Sequence, residues 1–172
     1  MDAVTLLKRQ IELAHLMLEG TMADVTPAQA HWQPGSGAAK IGAQYLHVHW
    51  VEDRYVSAML DEKTLADTSF AGRMGLSEEI PAGTGWDAWA RRVTIDLPAL
   101  KAYARAVYEK TFGYVGSLAP DDLAREVDQT HLGGGRQSVD FVLSVTIAAH
   151  ANMHHGEISC LKGLQGGKGY PI

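Results

Sequence analysis

Apolar residues recur at three- and four-residue steps in four long stretches of this chain, each bounded by glycine, proline or a cap residue. The first, Asp2 to about Asp24, carries Val4, Leu7, Ile11, Ala14 and Leu18 and meets no Gly or Pro before Gly20. Thr26-Pro27 and HWQPGSGA follow, a loop by turn chemistry, with Ser36 placed to cap a second helix running to about Met59. The core stripe predicted for that helix is Ile41, Gln44 or Tyr45, Val48, Val51, Tyr55 and Met59. DEKTLADTSFAGRMGLSEEIPAGTG has little periodicity and reads as a long connection between helices that are not hairpin neighbours.

Beyond it, a short helix is expected over Asp87 to Val93. Asp96 before Leu97-Pro98 then has the form of an N-cap with proline in the first turn. The third long helix would run to about Gly116, with Leu100, Tyr103, Ala104, Val107 and Phe112 inward. SLAPDDLAREV suits a turn with one short helix, HLGGGRQ a loop, and Ser138 the cap of a last helix ending near Gly163. The Gly-rich LQGGKGYPI is expected to be irregular. Period-2 alternation is weak throughout, so no strand-rich region is predicted. The pattern as a whole predicts an all-α fold, a four-helix bundle with long crossover connections, as a single domain over residues 1–172.

The last helix carries the chemistry. Val139, Leu143, Ile147, His150, His154, Glu157 and Leu161 fall on one stripe at about 100° per residue, which predicts the histidine pair on the core-facing side. Four residues apart, the two imidazoles are neighbours on that face, at a spacing that can share a metal ion. His155 lies roughly 140° around from His150 and should face elsewhere. Bundles build metal sites from inward side chains of different helices, so a third ligand is sought in YLHVHWVEDRYV. His47 and His49 flank that helix's stripe almost symmetrically, and periodicity does not choose between them. Glu52 lies nearer the stripe than either, as a carboxylate ligand or a second acceptor. Glu52 and Asp53 read equally as orienters of imidazoles or as a solvated acidic pair. His15, His31 and His131 read as surface or packing residues, and Arg54 as a surface ion-pairing residue or a contact for a substrate carboxylate.

Composition narrows the options. The net charge of −5 and the absence of a basic run make nucleic acid a poor partner. No apolar stretch approaches the ~20 residues of a membrane helix, and the N-terminus is amphipathic, unlike a signal peptide. The single cysteine, Cys160, excludes an internal disulfide and fits a reducing, cytoplasmic compartment. It falls off the His150 face and reads as a packed small thiol. The four tryptophans, Trp32, Trp50, Trp86 and Trp89, read mainly as packing, with some lining a pocket. An H-E-x-x-H metallopeptidase is excluded because Ala151 follows His150, and the paired Glu-x-x-His of di-iron bundles is missing.

Two segments carry a family likeness. IGAQYLHVHWVEDRYV resembles the second-helix pattern of the DinB-like superfamily, with a histidine five residues before a Glu-Asp pair, and HANMHHGEI is similar to its H-x-x-x-H-x-G-Q-I last-helix pattern. The loop HWQPGSGAAKIG and the position of the long connection agree, so the likeness covers nearly the whole chain. The resemblance implies a small metal-binding four-helix bundle with His47, His150 and His154 as ligands, and so selects His47 over His49. One divalent ion, zinc or nickel, a homodimer and a small-molecule substrate are expected, without nucleic acid or membrane. Some such proteins are transferases or isomerases that use a low-molecular-weight thiol, while others are metal-dependent hydrolases. The expectations are therefore a thiol-dependent transferase acting on small electrophiles, a hydrolase working through water, or a non-catalytic metal-binding bundle. Glu157 stands where the family usually has glutamine, which places a candidate catalytic carboxylate, or a further ligand, one turn beyond His154.

Overall fold

A computed structural model describes residues 1–35 and 37–172. It contains α1 (Ala3–Met22), α2 (Pro27–His31), α3 (Ile41–Leu60), α4 (Trp86–Arg92) and α5 (Leu97–Ser117). The last long helix begins as α6 (Val139–Phe141), continues through a π-helical stretch (Val142–Ala149) and ends as α7 (His150–Leu164). The four long helices form an all-α bundle. Neighbouring pairs around it are α1–α5, α5–α3, α3–α7 and α7–α1, so α1 and α3 face each other across the core.

Cross-helix contacts give the directions. Lys101 near the start of α5 donates to the Met22 carbonyl at the end of α1, and Tyr108 donates to Glu19. Hence α1 and α5 are antiparallel. Gln44 of α3 approaches His154 while His47 approaches His150, so α3 and α7 are antiparallel too. Along α3 and α5, His49 meets Tyr108 and Glu52 meets Thr111, so α3 runs parallel to its neighbour α5. Parallel neighbours cannot be joined by a tight turn, and this is why residues 61–85, with α4, cross the length of the bundle.

Asp53 anchors that crossing. Fully buried on α3, its carboxylate accepts from the backbone N–H groups of Leu65 and Ala66, each at 3.0 Å, and from the hydroxyls of Ser57 and Tyr103. Glu52 is 2% exposed; it accepts from Thr111 of α5 at 2.5 Å and from His15 Nε2 of α1 at 3.0 Å. His15 also stacks on Tyr108 with ring centroids 3.8 Å apart. The acidic pair is thus neither solvated nor beside the His150–His154 pair. Four donors around Asp53 and a buried partner on each oxygen of Glu52 offset the cost of burying the charges. These contacts also explain why the α3 stripe departs from expectation: Val51 and Tyr55 are half-exposed, while Glu52, Asp53, Val56 and Ser57 are buried. His15, expected at the surface or in packing, is a buried packing residue.

Other differences are local. Thr26 and Gln29 form a reciprocal capping box that turns Pro27–His31 into a short helix inside the expected loop. His31 is a staple, its Nδ1 donating to the Pro27 carbonyl and its Nε2 accepting from Ile95 N–H. Ser36, expected to cap the second long helix, lies outside the described residues; α3 starts at Ile41, with Lys40 at the cap position. The segment read as turn and loop pairs as an antiparallel hairpin, β1 (Glu126–Gln129) with β2 (Gly135–Ser138). Its turn contains Gly133, which needs its positive φ of 86°. The Gly-rich tail packs on the bundle, with Tyr170 edge-on to His155 at 5.2 Å.

Replacing Asp53 with alanine leaves two backbone N–H groups of the crossing without an acceptor. Asp53→Ala is expected to lower the unfolding free energy by about 3 kcal/mol in denaturant titration; a change below the usual surface value of ~0.5 kcal/mol would contradict the anchoring role.

Candidate metal centre

The π-helical stretch decides where the histidines of the last helix point. Its i→i+5 bonding is visible at its end, where His150 N–H donates to the Val145 carbonyl. A helix wound this way advances more slowly around its axis, and four of the eight residues in VLSVTIAA are β-branched, the class that crowds an α-turn. The buried stripe beyond it is therefore Ala151, His155, Ile158 and Lys162, with Leu161 at its margin, rather than one through His150 and Glu157. His150 and His154 are displaced to the border of the core, half-buried and turned toward α3. His155, expected to face away from the pair, does so and is the most deeply buried of the three, hydrogen-bonded to Thr21 of α1 at 2.9 Å.

His47 meets them from α3. Its Nε2 lies 3.2 Å from His150 Nε2, and its ring centroid is 5.0 Å from that of His154. One ligand nitrogen from each of His47, His150 and His154 falls within 4.8 Å of the others, close enough to hold a single metal ion. The 3.2 Å separation suits such an ion: two imidazole nitrogens on one tetrahedral zinc, each about 2.0–2.1 Å from it, stand roughly 3.3 Å apart. His49 is elsewhere, fully buried between Tyr45 and Tyr108 near Glu19.

Burial and the neighbouring His154 lower the pKa of His47 to about 4, and burial, His154 and His47 lower that of His150 to about 4. Both rings are then neutral at pH 7, with lone pairs available to a cation. Glu157 Oε2 accepts from His154 Nδ1 at 2.7 Å, which fixes the tautomer that leaves the Nε2 lone pair of His154 free to bind a metal. His47 Nδ1 has no such outer partner among the described residues.

His47, His154 and Glu157 line a cavity of about 530 Å³, with Gln44, Trp86 and Leu161 on its other walls. Cys160 lines it too and is exposed, which corrects the expectation of a packed thiol. Three residues after Glu157, it lies on the same outer ridge of α7, and only the slower winding upstream brings that ridge to the cavity. Trp89 packs in the core, Trp86 lies 5.1 Å from the His47 ring, and Trp50 stacks on Trp86 at 5.9 Å.

The profile of the DinB superfamily matches residues 10–158, a span that includes all three histidines. The chain belongs to the DinB superfamily. Among solved structures it is similar to a conserved protein from Enterococcus faecalis, with a TM-score of 0.77 and 20% identity over 95% of this chain and 97% of that one. At that identity the likeness speaks for the fold alone. No curated protein matches the chain. No helix among the described residues is long and apolar enough to cross a membrane.

Two outcomes follow from the site. With folded pKa values near 4 against an ordinary 6.5, the unfolded chain binds more protons between those limits. The stability of metal-free protein should therefore be full above about pH 6.5 and fall as the pH drops toward 4. His49 and His155, also lowered by burial, add to this slope. Thermal denaturation at graded pH checks it, with a shallower dependence expected for His47→Gln; a midpoint that rises with acid over this range would contradict it. Cys160 should react fully with an aromatic disulfide reagent in native buffer. Reaction only after denaturation would place the thiol in the core.

Proposed function

We propose that His47, His150 and His154 hold one divalent ion, zinc or nickel, and that the protein is a metalloenzyme transferring a low-molecular-weight thiol to a small electrophile. The observation that carries this reading is the cavity at the triad: His47 and His154 stand on one side of about 530 Å³ of space, with His150 grouped beside them, and the other side is left to a reactant. An ion held there with an open position acidifies a thiol presented to it.

The chain's own residues have distinct parts in this scheme. Glu157 holds the His154 ring through Nδ1, and its carboxylate, half in solvent at the cavity wall, is the proposed acceptor for the thiol proton. The thiol sulfur forms a bond to the electrophilic carbon and the leaving group departs with the bonding pair. Trp86 and Leu161 present apolar surface suited to the carbon skeleton of that electrophile. The same carboxylate position favours a second reading, hydrolysis, in which Glu157 accepts a proton from water.

The expected result is about one zinc or nickel per chain in protein purified without an affinity tag, lost in His150→Ala and His154→Ala. The Glu157→Gln variant should keep the metal and consume thiol, assayed with an aryl halide, about 10²-fold more slowly. Ester cleavage without thiol consumption would replace transfer by hydrolysis. Bound metal with neither reaction would make the protein a non-catalytic binding module, and no uptake of either metal would remove the reading altogether.

A further inference from the structure

A larger cavity, about 650 Å³, lies along α3 from the triad, between that helix and the long crossing. Its volume is in the range of small-molecule sites. Trp50 and Arg54 of α3 form one wall, and Asp67, Glu78 and Glu79 come from the crossing. Trp50 stacks on Trp86, which lines the triad cavity, so this indole pair stands between the two spaces.

The charges in the larger cavity do not close on themselves. Glu78 is bound by Arg92 at 2.7 Å. Arg54 makes no ion pair among the described residues; its guanidinium lies over the Trp50 ring, 4.4 Å from the centroid. That stacking holds the planar fork in place while leaving its N–H donors available to a carboxylate. In the lining of the same cavity, Glu79 and Asp67 have no cationic partner among the described residues, and Asp67 is engaged only with Thr64. A simple anion would meet one cation and two uncompensated carboxylates, whereas a simple cation would leave Arg54 without a partner. A ligand carrying both charges satisfies each wall.

We propose that this cavity binds the zwitterionic end of a small molecule, an α-amino-acid group, with its carboxylate on Arg54 and its ammonium toward Glu79 and Asp67. His47, Trp50 and Arg54 share one face of α3 at i, i+3 and i+7, so Arg54 stands about 10 Å along the helix from His47. A ligand anchored here with a thiol at its far end reaches past the indole pair to the triad. That extension alone rests on the proposed thiol chemistry; binding of the zwitterion does not.

The test is a titration followed by the indole N–H resonances, using three thiol-free probes: L-2-aminobutyrate, butyrate without the ammonium, and propylamine without the carboxylate. L-2-aminobutyrate is expected to give a saturable shift at Trp50, and each single-charge probe to bind at least about tenfold more weakly. Arg54→Met and Glu79→Gln should each weaken the amino-acid probe by about tenfold while keeping metal content. His150→Ala should lose metal and leave this binding unchanged, so that failure of one site is read separately from failure of the other. Equal binding of butyrate or of propylamine, or no saturable shift in folded wild type, overturns the proposal.

Discussion

The slow winding of the last helix between Val142 and Ala149 is the constraint on which the candidate site depends. Continued as an ordinary α-helix, the stripe through Leu143 and Ile147 would carry His150 and His154 into the middle of the core, among apolar side chains and away from any cavity. The widened stretch delays them by about one position and gives the core to Ala151, His155 and Ile158 instead. The displaced pair reaches the seam with α3, where His47 waits, and its outer edge opens to solvent with Glu157 and Cys160. Such stretches are uncommon in helices and often accompany functional positions. Here the consequence is geometric: two residues become ligand candidates because eight others wind differently.

For this to work α3 must be fixed in height and rotation, and buried polar contacts do that. His15 reaches across the bundle from α1 to Glu52, Thr111 holds the same carboxylate from α5, and Asp53 ties α3 to the crossing. Each partner would cost free energy if left alone in the core, so a rotation of α3 by even one position breaks several at once. Hydrophobic packing alone is more forgiving of such slips. Membership of the DinB superfamily fits this division, with an all-α scaffold around a three-histidine cluster that can hold a metal.

Much of this was legible in the sequence. The four long helices and most of their ends follow from apolar spacing and from Gly and Pro, and the one-face relation of His150 and His154 follows from their separation. The choice of His47 over His49 needed the family resemblance, because on α3 the two flank the stripe and only the packing of α3 against α7 separates them. The His15–Glu52 bond was out of reach for a related reason: periodicity describes one helix at a time, and the partner of a buried polar group lies on another. Cys160 departs from its expected place because the last helix does not keep a uniform 100° step between Val142 and Ala149. The hairpin leaves little trace in the sequence because its strands, EVDQ and GRQS, are too short and polar to show alternation.

The central claim is that His47, His150 and His154 together hold one metal ion. X-ray absorption on zinc-loaded protein tests it most directly. Scattering from three imidazoles with nitrogen at about 2.0–2.1 Å is expected, with one imidazole fewer when His47→Ala is loaded with zinc. A zinc environment without imidazole scattering, or one unchanged by removing His47, would contradict it.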